Sequence, residues 1–281
     1  MIPGSFDYVR PSSLDEAVSA LRDAGDEGKV IAGGQSLLPL LRLRLAFPEV
    51  LIDVASVPEL RGVRDEGSSL LVGAMTTHYE ALGDPLIREH APLVAAATST
   101  VADPAVRHRG TFGGSLAHAD PAGDLPAVVL AMDGVFVTSS REIPAAEFFA
   151  DYLTSALAPD EVLVGVRLPK SFTGWGFHYE KFHRTAQAWA IVGVACLVDR
   201  SGGEVAAARI GLTNMGSTPV RASAVEAAVS GGAADREAFR AAAGGAAEGT
   251  SPPSDLHGSP EYRRHLAAVL TARALSKAAG V

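Results

Sequence analysis

The spacing of apolar residues predicts alternating helices and strands at the start of the chain. Leu14, Val18 and Leu21 recur at helical spacing after two serines, and acidic residues fill the first turn, where the helix dipole favours them. Residues 29–31 have the length of a short strand, and a glycine turn and a leucine-rich helix follow them. Residues 50–54 form a continuous apolar run, typical of a buried parallel strand. The start of the chain therefore predicts a small βαβ unit.

Similar patterns continue through the middle of the chain. Apolar runs of strand length occur at residues 70–74, 134–139 and 162–169. Thr76 and Thr77 precede a segment that predicts a capped helix, and the alanine-rich residues 92–100 favour another helix. Glycines on both sides of Trp175 then interrupt the pattern.

The pattern changes beyond this interruption. Residues 189–198 and 206–212 predict two strands, and residues 226–247 are alanine-rich and broken by glycine pairs. Residues 260–278 predict a helix with one apolar face. The pattern alone thus predicts a mixed α and β chain with a boundary within residues 170–177.

Composition, charge and cysteine content narrow the classes of protein. The 281 residues suggest about two domains at roughly 150 residues each, and 47% hydrophobic with 20% charged residues excludes a disordered or fibrous chain. The net charge of −8 argues against a partner bound mainly through phosphates, so nucleic acid is not expected. Because Cys196 is the single cysteine, the chain alone forms no disulfide, iron–sulfur cluster or multi-cysteine zinc site.

The sequence shows no targeting or membrane signal. Residues 1–7 lack the basic and apolar regions of a secretory signal. Charges or glycines interrupt the alanine-rich stretches before they reach the roughly 20 residues that span a bilayer. We therefore expect a cytoplasmic protein without a transmembrane segment.

Two glycine pairs carry the clearest chemical signal. Residues 32–36 read Ala-Gly-Gly-Gln-Ser, and residues 111–115 read Thr-Phe-Gly-Gly-Ser, with hydroxyls that could add hydrogen-bond donors. Glycine lets the backbone approach a ligand closely, and successive N–H groups in a tight turn form a concavity that binds anions. One such pair is more often an ordinary turn, but two together would suit a diphosphate. Neither is a P-loop or a Rossmann fingerprint.

Residues 32–45 and 109–126 together closely resemble the FAD-binding medium subunits of molybdenum hydroxylases. This family includes the medium subunit of aerobic carbon monoxide dehydrogenase and, further away, the FAD domain of xanthine dehydrogenase. The resemblance covers nearly the whole chain and includes residues 179–182 and 190–195.

The resemblance implies an α+β fold in two domains. The FAD-binding domain would span residues 1–174, with a small N-terminal βαβ unit at about 1–55 and a larger mixed sheet at 56–174. The C-terminal domain would span residues 175–281, with a small sheet and a helical bundle.

The resemblance also implies which residues bind the FAD. The two glycine loops correspond to the two diphosphate loops of the family. The residues implied to contact the cofactor are Ala32, Gly33, Gly34, Gln35, Ser36, Val101, Thr111, Phe112, Gly113, Gly114, Ser115, Asp124, Leu163 and Lys181. Among them we expect Val101 and Leu163 to pack against rings, Asp124 to have a polar role, and Lys181 to stabilise negative charge on the reduced flavin. The chain is expected to hold no catalytic residue and no metal ligand.

Three features admit more than one interpretation. Phe112 stands where relatives often have a smaller aliphatic residue, which a side chain pointing away from the ligand would tolerate. Trp189 could pack at the flavin or at the seam between the two parts, and we favour the seam. His118 and Asp120 could suggest a metal, but two ligands without a further cluster favour a hydrogen-bonded loop.

The implied function is electron transfer within a complex. A large molybdopterin subunit would hydroxylate the substrate, a small subunit with two [2Fe–2S] clusters would relay electrons, and this chain would deliver them to an external acceptor. The family assembles as a heterotrimer doubled to a hexamer. The alternatives are a self-sufficient FAD-dependent oxidoreductase with its own organic substrate and a cofactor-free assembly scaffold. Carbon monoxide, an N-heterocycle, a purine and an aldehyde all stay open as substrates.

Overall fold

The computed structural model describes residues 2–281, and their first part is a three-stranded parallel sheet. Its elements are β1 (Asp7–Val9), α1 (Leu14–Ala24), β2 (Gly28–Ile31), α2 (Leu37–Leu43) and β3 (Val50–Asp53). The strand order is β1–β3–β2, and both pairs are parallel, as the apolar run of β3 predicts. Ser13 caps α1 by accepting the N–H of Glu16. The predicted βαβ unit is confirmed, with β1 as an additional exposed strand.

The second part contains a larger antiparallel sheet. The strands of this part are β4 (Val63–Asp65), β5 (Ser69–Gly73), β6 (Val135–Thr138), β7 (Glu142–Pro144), β8 (Phe149–Asp151), β9 (Thr154–Ser155) and β10 (Leu163–Pro169). Strands β8 and β9 form a separate hairpin. The order in the large sheet is β4–β5–β10–β6–β7. Strands β5, β6 and β10 confirm the three apolar runs as strands.

Short helices cover this sheet. They are α3 (His78–Gly83), α4 (Pro85–His90), α5 (Pro92–Ser99), α6 (Pro104–Arg107), α7 (Phe112–Ala117), α8 (Asp124–Ala131) and α9 (Ala145–Phe148). The helix predicted after Thr77 is α3, which begins with a capping box formed by Thr77 and Glu80. Every residue of α8 is buried, so this helix lies in the core. Its apolar sequence follows from that position.

The third part is a four-stranded antiparallel sheet with helices. Its elements are β11 (Gly176–Phe182), β12 (Val192–Ser201), β13 (Glu204–Thr213), β14 (Val220–Arg221), α10 (Ser223–Val229), α11 (Arg236–Ala242) and α12 (Pro260–Ala279). The strands follow one another in chain order, and α12 packs across β11 and β12. The strand predicted from residue 189 begins at Val192. Within residues 2–281, no helix is long and apolar enough to cross a membrane, α12 included.

Two glycines let α8 lie directly against the sheet of the third part. A Cβ on Gly211 of β13 would overlap the carbonyl oxygen of Ala127 in α8. A Cβ on Gly193 of β12 would lie 2.6 Å from the hydroxyl of Tyr179 in β11. Gly211 thus lets α8 lie against the sheet, and Gly193 leaves room for the hydroxyl of Tyr179, which bonds Asp124 at the seam between the second and third parts.

Candidate functional site

The two glycine loops lie against each other. A Cβ on Gly33 would overlap the carbonyl oxygen of Arg109 and lie 2.9 Å from the Cα of Gly110, just before the second loop. A Cβ on Gly114 would lie 3.5 Å from the Cβ of Ala32. The structure therefore brings residues 32–36 and 111–115 into one site, and glycine at position 33 is what permits the approach.

The first loop presents backbone N–H groups. Gly34 has a φ of +72°, which favours glycine and turns the chain from β2 into α2. Within residues 2–281, no backbone carbonyl accepts the N–H of Gly34, Gln35 or Ser36. The Gln35 side chain donates to the carbonyl of Gly33 at 3.1 Å and is exposed. The three amides lie at the N-terminus of α2, where the helix dipole adds positive potential, so together they suit an anion.

The second loop is held by its own hydrogen bonds. Thr111 caps α7, since its Oγ1 accepts the N–H of Gly114 at 3.2 Å. The amides of Phe112 and Gly113 donate to two carbonyls that follow β5, and the Ser115 hydroxyl donates to the carbonyl of Phe112. The Ser115 hydroxyl thus donates its proton within the protein, and the Thr111 hydroxyl accepts a backbone N–H there. The geometry leaves the first loop as the better source of donors for an anion.

Two buried rings support the second loop. The Phe112 side chain is fully buried in the hydrophobic core, so it points away from the loop surface as its size requires. A Cβ on Gly110 would lie 2.9 Å from Cδ2 of His78, whose backbone N–H donates to the carbonyl of Gly110. Burial, with a smaller effect of Arg107, lowers the pKa of His78 to about 4, so the ring is neutral at physiological pH. Sequence reasoning gave His78 no role, because its position in a helix cap carries no sign of this contact.

Leu163 lies with both glycine loops. A narrow cavity of about 80 Å³ is lined by Ala32 of the first loop, by Gly113 and Gly114 of the second, and by Leu163 at the start of β10. Its other walls are mostly apolar. The structure therefore places Leu163 where it could pack against a ligand held by the loops.

A buried polar cluster forms at the seam. The Lys181 ammonium donates to Asp124 Oδ2 at 2.8 Å, and the Tyr179 hydroxyl donates to Asp124 Oδ1 at 2.7 Å. The side chains of Lys181 and Asp124 are only 3% and 5% exposed. Burial raises the pKa of Asp124, and the Lys181 charge opposes that rise. Burial and the neighbouring carboxylate raise the pKa of Tyr179 well above its usual range, so the phenol keeps its proton.

Val101 is joined to this cluster through the backbone. The Lys181 ammonium also donates to the carbonyl of Thr100 at 3.1 Å. Arg107 donates to the carbonyls of Val101 and Ala102, and Ala102 has a φ of +41°. The structure therefore brings Asp124 and Lys181 together at the seam, and Val101 follows Thr100, the residue whose carbonyl Lys181 bonds. Tyr179 is the member of this group to which the sequence gave no separate role.

Trp189 lies half-exposed at a cavity between the second and third parts. Its side chain is 54% exposed, because it lies on the connection between β11 and β12. It lines a second, larger cavity of about 650 Å³ that also reaches Pro121 and Asn214. The favoured interpretation of Trp189 as a seam residue stays a prediction, since residues of both parts line this cavity.

His118 and Asp120 belong to a hydrogen-bonded loop. Asp120 Oδ1 accepts the N–H of Ala122 at 2.9 Å, and the nearest approach of His118 to Asp120 is 3.9 Å. Across residues 2–281, no three His, Cys, Asp or Glu side chains group as a metal site would need.

Two protein-family models match the chain. The model described as the FAD binding domain in molybdopterin dehydrogenase matches residues 4–171. The model described as the CO dehydrogenase flavoprotein C-terminal domain matches residues 177–278. Together they span both glycine loops and the buried cluster.

Individual relatives are similar over their full length. The carbon monoxide dehydrogenase medium chain of Hydrogenophaga pseudoflava is 40% identical, over 99% of this chain and 98% of the relative. The 6-hydroxypseudooxynicotine dehydrogenase complex subunit alpha of Paenarthrobacter nicotinovorans is 37% identical, over 99% of this chain and 96% of the relative. A solved carbon monoxide dehydrogenase from Hydrogenophaga pseudoflava, in a form that lacks the Mo-pyranopterin moiety, matches with a TM-score of 0.96 and 43% identity, over 99% of this chain and 98% of that chain.

Proposed function

The chain belongs to the family of FAD-binding medium subunits of molybdenum hydroxylases, and from that membership we propose that it transfers electrons within such a complex. In this proposal it takes electrons from the [2Fe–2S] clusters of a small partner subunit and passes them to an external acceptor. A large partner subunit carries the molybdopterin and performs the hydroxylation. Three chains would form a heterotrimer that doubles to a hexamer.

The close approach of the two glycine loops is the observation that best supports FAD binding. Three amides without a backbone acceptor and the N-terminus of α2 fit a diphosphate, and Gly33 lets the second loop come close enough to share it. We propose that residues 32–36 and 111–115 hold the diphosphate of FAD and that Leu163 and Val101 pack against its rings. When bound, FAD supplies the ability to accept single electrons and to deliver a pair.

Lys181 would tune this site by its charge. The buried ammonium donates to the carbonyl of Thr100 and pairs with the Asp124 carboxylate. A positive charge here favours a negatively charged, reduced flavin, so Lys181→Ala should lower the flavin potential in a redox titration. An unchanged potential would remove this role from Lys181.

We also propose that the chain divides into two domains. We assign residues 1–174 to FAD binding and residues 175–281 to a C-terminal domain. The ends of the two family matches, at residues 171 and 177, support this assignment. The buried Asp124–Lys181 pair would then join the two domains.

Partner chains are supported by two features of this chain. With Cys196 as its single, buried cysteine it cannot ligate an iron–sulfur cluster alone, so the electron donor must lie on another chain. At and after the end of α2, Leu43, Leu45 and Phe47 are 56%, 68% and 71% exposed. Exposed apolar residues grouped in this way are typical of a surface that contacts another protein.

The experiment that tests this function is an analysis of the native complex. The chain is purified from its source under gentle conditions, and flavin, molybdenum, iron and the accompanying chains are measured by absorbance, metal analysis and mass spectrometry. We expect flavin together with molybdenum, iron and two partner chains. A yellow chain without metals would favour the self-sufficient oxidoreductase, and a colourless chain the scaffold. The identity of the large subunit would also decide the substrate among carbon monoxide, N-heterocycles, purines and aldehydes.

A further inference from the structure

We propose that Tyr179 is a positioning residue that keeps Asp124 ionised and paired with Lys181, and so controls how much positive charge Lys181 presents to the flavin. This inference rests on the proposed function. Tyr179 is not among the residues expected to bind the cofactor, and its hydroxyl reaches the site only through Asp124. Its role would be to set the charge of the site and not to contact the ligand.

The geometry gives each carboxylate oxygen of Asp124 its own donor. Tyr179 and Lys181 are two residues apart in β11, so their side chains leave the sheet on the same face. That face meets the first residue of α8, where the hydroxyl of Tyr179 reaches Oδ1 and the ammonium of Lys181 reaches Oδ2. Loss of the phenol hydroxyl would leave Oδ1 buried without that donor.

The surroundings fix the direction of the phenol proton. The hydroxyl of Thr213 lies 3.2 Å from the phenol oxygen. Since the phenol has one proton and a carboxylate can only accept, Tyr179 donates to Asp124 and Thr213 donates to Tyr179. Gly193 faces both groups, with its Cβ direction 2.6 Å from the phenol oxygen, so a side chain there would displace it. The surroundings of Tyr179 therefore fit its hydroxyl as well as its ring.

The charge consequence follows from burial. The titratable or charged groups that act on Asp124 are Lys181, Tyr179 and, further away, His183. Without the phenol donor, the desolvated carboxyl would hold its proton to higher pH. Asp124 would then be neutral beside the Lys181 ammonium, and the site would gain one positive charge in that pH range.

The test compares Tyr179→Phe with Tyr8→Phe in the reconstituted complex. Tyr8 is a matched control, because its hydroxyl also donates to an aspartate, Asp53, but on the exposed surface of the first sheet. The midpoint potential of the bound flavin is measured against pH for the wild type and both variants. We expect Tyr179→Phe to shift the potential to more positive values over the pH range in which only the variant has a protonated Asp124, and to coincide with the wild type above and below that range, while Tyr8→Phe follows the wild type throughout.

A Tyr179→Phe curve that coincides with the wild type at every pH would overturn the inference. If Tyr179→Phe fails to fold or to bind FAD, Thr213→Val provides the second test, since it leaves the tyrosine and removes the donor to the phenol oxygen. A smaller shift of the same sign supports the inference, and no shift overturns it. Failure of the wild-type chain to take up FAD would instead contradict the proposed function, so the two failures are distinguishable.

Discussion

At the residue scale, the candidate site depends on positions where any side chain would be in the way. Gly33 lies against the backbone of Arg109 and Gly110, so the two loops meet through main-chain atoms. The amides of Gly34, Gln35 and Ser36 in the first loop donate to no backbone carbonyl within residues 2–281. A methyl group at position 33 would therefore push the two loops apart rather than remove one particular hydrogen bond.

We therefore predict that Gly33→Ala weakens FAD binding by tenfold or more, equivalent to at least about 1.4 kcal/mol. The added Cβ overlaps the Arg109 carbonyl and separates the loops. Gly83→Ala is the control, because a Cβ there meets nothing within 4 Å. Fluorescence titration of FAD into the two variants measures the difference, and equal affinities would show that the loops do not share the ligand.

Local residue types predict the glycine loops but not the buried cluster. Gly33 and Gly114 stand out in the sequence because glycine pairs with flanking hydroxyls are recognisable without a structure. Asp124 and Lys181 are 57 positions apart, and their pairing depends on how α8 docks on the sheet of the third part. Only the resemblance to the family indicated that Asp124 and Lys181 contact the cofactor. The hydrogen bond between Tyr179 and Asp124 depends on the fold and was not predictable from the sequence.

At the element scale, one carboxylate joins the segment after β6 to the segment before β10. Glu161 is buried, and its side chain accepts hydrogen bonds from Thr138, Ser140, Arg141 and the backbone N–H of Ala158. Burial raises the pKa of Glu161, but these donors, with Arg141 foremost, outweigh burial and hold the pKa at about 2, below the usual 4.5. The ionised form is thus favoured by the folded state.

The lowered pKa of Glu161 predicts how the free energy of unfolding falls in acid. Because the folded pKa is lower than the unfolded one, the stabilisation is complete above pH 4.5 and is lost as the pH falls toward 2. The shift corresponds to about 3 kcal/mol at neutral pH. We expect Glu161→Gln to be less stable than the wild type at pH 7 and to lose less stability between pH 5 and 2, as measured by urea unfolding. Parallel pH profiles for the two proteins would contradict this account.

The docking of α8 on the C-terminal sheet gives a second prediction at this scale. Gly211→Ala should lower the free energy of unfolding by about 1–3 kcal/mol, the usual cost of overpacking, because the new methyl overlaps the Ala127 carbonyl. Gly203→Ala, in the connection between β12 and β13, is the control, since a Cβ there meets nothing within 4 Å. Thermal unfolding of both variants checks this, and equal stabilities would mean that α8 does not rest on Gly211.

Elements with a clear apolar signal were predictable, and exposed or polar ones were not. The apolar runs gave β3, β5, β6 and β10, and the one-sided apolar face gave α12. Strand β1 is exposed at all three positions, and β11 carries His178, Glu180 and Lys181, so neither has a continuous apolar run. The connection 183–191 was partly read as strand because Trp189 and Ile191 are apolar, although β12 starts only at Val192.

At the scale of the whole molecule, all three parts of the chain contribute elements to the glycine loops and the buried cluster. The first loop follows β2, the second forms the N-cap and first turn of α7, and Lys181 lies on β11. The order of these parts along the chain was predictable from the sequence. Their contact was not, because it depends on close backbone approaches at Gly33 and Gly211 between segments far apart in sequence.

The most direct test of the central claim is an anaerobic reduction experiment on the FAD-loaded chain. Its visible flavin absorbance is followed after addition of the molybdenum subunit with substrate, with and without the iron–sulfur subunit. We predict that the flavin is reduced only when the iron–sulfur subunit is present, and that a Gly33→Ala chain, which retains little FAD, shows almost no signal. Reduction of the flavin by substrate without either partner subunit, or a wild-type chain that never takes up FAD, would contradict the account.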